Sequence, residues 1–174
     1  MNEPLLQTTL LQEFQWFHRH PELSFAEEAT TARLRQSLQQ AGIRILSLPL
    51  KTGLVAELGT GKTPMIALRA DIDALPVEET TDLPYRSEAS GKMHACGHDF
   101  HMTSVLGAAL LLKEQEPALP GTVRIVFQPG EDGGAGLPGT LCVGAGAQHV
   151  LEQQAEHPGQ PRMFGAGGSR QIDD

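Results

Sequence analysis

The chain has 174 residues, 40% hydrophobic and 20% charged, so it can bury a core and is not a mainly disordered protein. Its 13 basic and 21 acidic residues give a net charge of −8. This argues against a nucleic-acid partner, because the sequence has no basic patch that could bind a phosphate backbone. The sequence also lacks both an apolar run of about 18 residues and the basic, apolar start of a secretory signal, so we expect neither a membrane segment nor secretion. Its two cysteines, Cys96 and Cys142, make a poor disulfide framework, which favours a reducing cytoplasm.

Two helices are predicted at the start of the chain. A stripe of Leu and Phe at helical spacing indicates an amphipathic helix that ends near His20, because Pro21 disfavours helical geometry in the preceding residue. Ser24 followed by Glu27 has the pattern of a capping box and predicts the start of a second helix. Gly42 is expected to end that helix as a carboxyl-terminal cap.

Strand patterns follow in the middle of the chain. Gly53–Leu58 and Met65–Ala70 are separated by a turn rich in Gly and Pro, which predicts a β-hairpin. Leu75–Gly97 has no sustained period and is expected to be a long loop of the kind that often carries function. Asp99–Glu114 is predicted as a helix and Thr122–Gln128 as a strand.

The order of these elements predicts the fold class. A helix placed between two strands indicates a crossover connection, and therefore an α/β fold with a layered mixed sheet flanked by helices. Asp99 is expected to cap the amino end of that crossover helix. After Gly136 the pattern fades, and 11 of the 19 glycines lie in residues 130–174.

The densest group of metal-binding residue types lies in residues 93–101. Cys96 and His98 flank Gly97, which permits a sharp backbone path that could aim both side chains at one point. Thiolate and imidazole bind divalent ions such as Zn²⁺, and the helix beginning just beyond would help to keep the thiol ionised. The alternative is a buried cysteine with solvated histidines beside a helix cap.

Two carboxylate pairs follow predicted strands. Glu131 and Asp132 lie after the last strand, where one could bind a metal ion while the other acts as a general base. The alternative is an exposed acidic turn. Asp71 and Asp73 face one side of an extended segment and could orient a ligand imidazole. The alternative there is a polar strand end in which Arg69 pairs with one aspartate.

Four ordered motifs connect these clusters: HRHPELSFAEEAT (His18–Thr30), LRADIDALPVEE (Leu68–Glu79), MHACGHDFHMTSVLGAA (Met93–Ala109) and VFQPGEDGGAG (Val126–Gly136). In order and spacing they resemble metal-dependent amidohydrolases of the aminoacylase type. That group includes hippurate hydrolase, N-acyl-amino-acid deacylases and the plant indoleacetyl-amino-acid hydrolases. The resemblance covers most of residues 14–136 and implies the N-terminal part of a zinc-peptidase-like catalytic domain.

The resemblance also implies a reaction. A hydrolase of this kind cleaves the amide bond of an N-acyl amino acid, a small-molecule substrate, and releases a carboxylic acid and an amino acid. It uses two divalent ions, Zn²⁺ or Mn²⁺, with Co²⁺ or Ni²⁺ as further alternatives. No nucleic acid or membrane takes part, and nothing in the resemblance specifies an oligomeric state.

Residue roles carry over motif by motif. Cys96, His98 and Asp132 resemble metal ligands, Glu131 resembles the general base, and Asp73 resembles the family's orienting carboxylate. Asp132 stands where the family has Glu, and its side chain is one methylene shorter.

The resemblance sets the expected domain organisation. Residues 1–136 are expected to form the N-terminal part of the catalytic domain, and residues 137–174 a divergent, disordered tail, with the lid domain absent. His149 and His157 lack the family's motif context and are not assigned as ligands. The alternative function is a truncated, non-catalytic fragment that binds metal weakly at most.

Overall fold

The computed structural model describes residues 3–61 and 63–132. The tail predicted over residues 137–174 lies outside the described residues, as do Cys142, His149 and His157. Within the described ranges, no helix has both the length and the apolar character of a membrane span.

The helices and strands follow the order that the sequence predicts, with one additional short strand at Arg44–Ile45. In chain order they are α1 (Glu3–Arg19), α2 (Glu28–Gln40), β1 (Arg44–Ile45), β2 (Leu54–Gly59), β3 (Met65–Asp71), α3 (His98–Glu114), a 3₁₀ turn (Glu116–Ala118) and β4 (Thr122–Gln128). All the predicted helices and strands exist, and Gly42 ends α2 with a left-handed φ of 68°. The stretch between β3 and α3 is irregular, as predicted, apart from isolated bridges that pair Leu75 with Met93 and Ala74 with Leu23.

The sheet has the strand order β1-β2-β4-β3. β4 pairs antiparallel with β2 and parallel with β3, so the sheet is mixed and α3 is the predicted crossover. The predicted hairpin between β2 and β3 is wrong, because β4 lies between them. All seven residues of β4 are buried, which suits a central strand, whereas β3 is partly exposed.

The predicted capping box at the start of α2 is also wrong. The Ser24 hydroxyl donates to Asp73 Oδ2 at 2.7 Å instead of to the helix. Glu27 is the N-cap residue but makes no side-chain bond to the helix end. The Glu22 carboxylate accepts from the first-turn amides of Ala29 and Thr30, at 3.0 and 2.7 Å, and so takes the capping role.

The predicted N-cap of α3 needs a similar correction. Gly97 is the N-cap residue and the helix begins at His98, which puts Asp99 inside the first turn. Asp99 is 3% exposed, and its Oδ2 atom lies 2.6 Å from His18 Nδ1. A buried carboxylate gains more from an imidazole partner than from capping a helix end, and this contact joins α1 to α3.

The main core lies on the face of the sheet that the three helices cover. Fully buried side chains from the helices and from β4 meet there, among them Phe17, Leu34, Leu106, Ile125 and Phe127. Because α3 joins two parallel strands, its amino end returns to the edge at which β3 and β4 end. The core therefore fixes three chain segments at one edge of the sheet.

Candidate metal centre

Three predicted clusters converge at the carboxyl ends of β3 and β4. Asp73 follows β3, Glu131 and Asp132 follow β4, and Cys96 and His98 lie at the start of α3. The pairing of β3 with β4 extends one step further, because the Ile72 amide donates to the Gln128 carbonyl at 3.0 Å. The edge of a parallel strand pair is where side chains from separate segments can meet, as the sequence predicted.

Cys96, His98 and Asp132 come together as a set of metal-binding atoms. One donor atom from each lies within 4.8 Å of the others. Cys96 Sγ is 3.8 Å from Asp132 Oδ1. Zinc bonds of about 2.0–2.3 Å place ligands at comparable separations, so the donor set fits a divalent ion.

Asp73 lies at the centre of the supporting hydrogen bonds. Its carboxylate is fully buried, and Oδ2 accepts from the Ser24 hydroxyl at 2.7 Å and from the Asp132 amide at 2.8 Å. Burial alone would raise the pKa of Asp73, but hydrogen bonds from His98, Ser24 and Asp132 lower it to about 2. Asp73 is therefore ionised at neutral pH and holds the Asp132 backbone in place.

His98 is oriented by the same residue. Its Nδ1 lies 2.8 Å from the Asp73 carbonyl oxygen and 3.3 Å from Asp73 Oδ1. Burial acts to lower the pKa of His98, but the bonds to Asp73 and the nearby Asp71 charge raise it to about 9. The protein groups alone thus hold a positive charge at the imidazole, in the middle of the carboxylates.

The Cys96 thiol does not behave as the sequence suggested. Partial desolvation, followed by the Asp132 and Glu131 carboxylates, raises the pKa of Cys96, so the helix end does not keep the thiol ionised. The Asp132 and Glu131 carboxylates place negative charge around the thiol. The same charge favours a bound cation, which would displace the thiol proton.

Glu131 is the more exposed of the adjacent carboxylates. Its side chain is 43% exposed against 19% for Asp132, and its Oε2 atom lies 3.9 Å from His98 Nε2. The two neighbours therefore differ in accessibility, as a ligand and a general base would. Their roles, and those of Cys96, His98 and Asp73, remain predictions.

A second group of donor atoms shares His98. Asp71, His98 and His101 also place one such atom each within 4.8 Å of the others. Asp71 forms an ion pair with Arg69, which is the alternative interpretation given above for this pair of aspartates. Asp73 instead contacts His98. His101 is not among the predicted site residues, although its spacing of three from His98 puts both on one face of α3.

A buried network beside the site was not predicted. His18 lies between two carboxylates, with Nδ1 2.6 Å from Asp99 Oδ2 and Nε2 3.1 Å from Glu79 Oε1. Glu79 also accepts from the Ser87 amide at 2.6 Å, which ties the long loop to α1 and α3. No local pattern marks the network, because its members are far apart in sequence.

Gly97→Ala tests whether the turn between Cys96 and His98 sets their geometry. Gly97 has a φ of 77°, and an added Cβ would meet no atom within 4 Å, so the cost is backbone strain of about 1–2 kcal/mol. Relief of that strain would turn the two side chains apart. We expect weaker zinc binding by calorimetric titration, in addition to the loss of stability.

Gly61→Ala is the matched control. Gly61 has a φ of 73° and equally open surroundings, but it lies in the exposed turn after β2. We expect a similar loss of stability with no change in zinc affinity. Equal effects of the two variants on zinc binding would show that the Gly97 turn has no particular role.

Together, the fold and the site define an α/β domain with a candidate metal centre at the carboxyl edge of its sheet. The chain belongs to peptidase family M20/M25/M40, whose sequence model matches residues 67–168. This confirms the predicted resemblance to metal-dependent amidohydrolases. The match extends past Gly136, beyond the described residues, and the boundary predicted there stays a prediction.

Curated relatives and solved structures agree with this assignment. The chain is 47% identical over 154 residues to N-acetylcysteine deacetylase of Bacillus subtilis (strain 168), covering 87% of this chain and 38% of that protein. It is 48% identical over 119 residues to IAA-amino acid hydrolase ILR1-like 5 of Arabidopsis thaliana, covering 68% of this chain and 27% of that protein.

Among solved structures, the Bacillus subtilis YXEP protein superposes with a TM-score of 0.76 at 46% identity, covering 87% of this chain and 40% of that one. It is described as a dinuclear metal-binding peptidase of family M20. The chain therefore spans well under half the length of these relatives.

Proposed function

We propose that this protein is a metal-dependent hydrolase that cleaves the amide bond of N-acyl amino acids. The observation that carries the proposal is the convergence of Cys96, His98 and Asp132 within 4.8 Å of one another, with Glu131 beside them. The relatives named as a deacetylase of N-acetylcysteine and a hydrolase of IAA-amino acids support this substrate class.

Cys96, His98 and Asp132 would hold the divalent ion, with Zn²⁺ or Mn²⁺ proposed first and Co²⁺ or Ni²⁺ as alternatives. When bound, such an ion supplies Lewis acidity, which lowers the pKa of water and polarises the amide carbonyl. Asp73 keeps the His98 ring in place through Nδ1, which leaves Nε2 directed towards Glu131.

Glu131 supplies the general base. Its exposed carboxylate accepts a proton from the attacking water, whose oxygen forms the new bond to the amide carbon. Glu131 then returns that proton to the amide nitrogen as the carbon–nitrogen bond breaks. A carboxylic acid and a free amino acid leave, and Glu131 is restored to its ionised form.

We further propose that the substrate is a small molecule and that the protein is located in the cytoplasm. We also propose that the segment belonging to the catalytic domain ends near residue 136. The acidic net charge of −8 supports the absence of a nucleic-acid partner. A second candidate function is weak metal binding without turnover. It is favoured because the Cys96, His98 and Asp132 set contains one imidazole.

Metal analysis combined with turnover separates the two candidates. We expect the purified chain to retain a divalent ion and to hydrolyse N-acetyl or N-benzoyl amino acids, with release of the amino acid measured by amine derivatisation. Protein that is folded by circular dichroism and binds an ion without turnover would favour the second candidate.

Cys96→Ser tests the ligand set directly. A hydroxyl is a much poorer zinc ligand than a thiolate, so we expect zinc affinity to fall at least about tenfold. The side chain is exposed, so the free energy of unfolding of the metal-free protein should change little. Unchanged zinc affinity in a titration would exclude Cys96 as a ligand.

A further inference from the structure

Glu27 is a fully buried carboxylate that contacts the segment carrying Glu131 and Asp132. Its Oε1 atom accepts a hydrogen bond from the Gly130 amide at 2.9 Å and another from the Phe25 amide at 2.9 Å. Gly130 lies 103 residues further along the chain and immediately precedes Glu131. The bond therefore fixes the backbone where the candidate base begins.

The ring of Phe25 also contacts Gly130. A Cβ at Gly130 would lie 2.3–2.7 Å from three atoms of the Phe25 ring, so the ring packs directly on the backbone. Phe25 itself has a φ of 62°, a left-handed conformation that a bulky residue rarely adopts. The hydrogen bond that the Phe25 backbone amide donates to Glu27 Oε1 helps to hold this conformation. Backbone strain of this kind concentrates at functional sites.

The segment that contains Phe25 and Glu27 also reaches the second carboxylate cluster. Ser24 donates to Asp73 Oδ2, the same atom that accepts the Asp132 amide. Asp132 is thus held by Asp73, and Gly130 by Glu27. Both anchors on the segment after β4 depend on residues 24–27.

Helix capping does not explain Glu27. The first-turn amides of α2 are bound by Glu22, and Glu27 makes no side-chain bond to the helix end. Among the described residues no cation pairs with the Glu27 carboxylate, and burial of such a carboxylate is costly, so its hydrogen bonds with Thr52 and with the two amides account for its position. Burial also raises the pKa of Glu27, against the effect of Thr52 and the two amides.

We propose that Glu27 is a positioning residue that sets the placement of Glu131 and Asp132 through the Gly130 amide. The effect on turnover rests on the function proposed above, whereas the effect on the backbone does not. Glu27 touches no reacting atom and acts only through the segment that follows β4.

Amide hydrogen exchange in the full chain tests the backbone effect. In the wild type, the buried Gly130 amide should exchange at least about 100-fold more slowly than the exposed Gly61 amide. Glu27→Met, which keeps the side-chain length but removes the acceptor, should speed exchange at Gly130 and Asp132 at least about tenfold. Glu27→Gln keeps an oxygen acceptor and should restore the wild-type rates.

Glu22→Met is the matched control, because it removes a carboxylate from the same segment that binds α2 amides instead. We expect it to lower stability without changing exchange at Gly130 or Asp132. Glu27→Asp serves if the Met variant does not fold, since the shorter chain cannot reach both amides. Wild-type exchange in the Glu27 variants, or equal acceleration by Glu22→Met, overturns the proposal.

Zinc titration and steady-state kinetics test the consequence for the site. Glu27→Met should weaken zinc binding about tenfold and lower kcat with a smaller effect on KM, while Glu22→Met should change neither. If the wild type shows no turnover, the proposed function fails and the exchange rates still decide the role of Glu27. Unchanged zinc affinity and kcat in Glu27→Met, despite faster exchange, would contradict positioning of the site.

Discussion

Glu131→Gln is expected to reduce hydrolysis of an N-acetyl amino acid at least about 100-fold while the chain keeps its bound metal ion. The amide of Gln has nearly the size of the carboxylate but cannot take a proton from water. The side chain is 43% exposed, so its replacement should not disturb the core. Initial rates at equal metal content, with the bound ion measured by mass spectrometry, would provide the test.

Glu88→Gln provides the control for this result. Glu88 is an acidic residue on the long loop, and its side chain is 66% exposed and lies 3.8 Å from His20 Nε2. We expect wild-type turnover in that variant. Wild-type turnover in Glu131→Gln would mean that another group is the base, whereas loss of the ion would make Glu131 a ligand.

The candidate site was predictable because its residues lie in short, dense motifs. Cys96 and His98 flank a glycine, and Glu131 and Asp132 follow a predicted strand rich in β-branched residues and the turn residues Pro129 and Gly130, so each pair is visible within a few residues. Their convergence follows from one topological rule, that a right-handed crossover brings the ends of parallel strands to one edge. Asp73 could be placed there for the same reason.

The wrong predictions concern choices that distant residues decide. Ser24 has the local pattern of a cap, but an ionised, buried Asp73 offers its hydroxyl a stronger acceptor. The turn between β2 and β3 has the composition of a hairpin turn, yet β4 lies between these two strands, where all seven of its residues are buried. A pattern that spans a few residues cannot show which of two hydrogen-bond acceptors, or which of two strand pairings, is more stable.

Residues that support the site leave still less trace in the sequence. Glu27 and Gly130 are 103 residues apart, and His18 and Asp99 are 81 apart. Each of these residues has an ordinary local explanation, as a cap, a turn or a surface group. Only the folded arrangement shows that they hold the segments on which the candidate ligands and base lie.

His18→Gln is expected to lower the free energy of unfolding by about 3 kcal/mol at pH 6, because it leaves two carboxylates buried without their cationic partner. His18 is 7% exposed and lies between Asp99 and Glu79. Burial acts to lower the pKa of His18, but the bonds to both carboxylates outweigh burial and raise it above 6.5. The imidazolium is therefore favoured in the folded protein.

The sign of the pH dependence follows from that shift. A raised folded-state pKa contributes stability that is complete below the unfolded value of about 6.5 and is lost as pH rises through the folded value. The stability gap between wild type and His18→Gln should thus be largest near pH 6 and narrower at pH 9, as measured by urea denaturation. His20→Gln is the control, since that partly exposed ring stacks on Trp16 and places its Nδ1 2.7 Å from the Trp16 carbonyl, away from Asp99 and Glu79, so we expect a loss of about 1 kcal/mol. A gap that stays constant between pH 6 and pH 9 would show that His18 stabilises the fold through its shape and hydrogen bonds, without its charge.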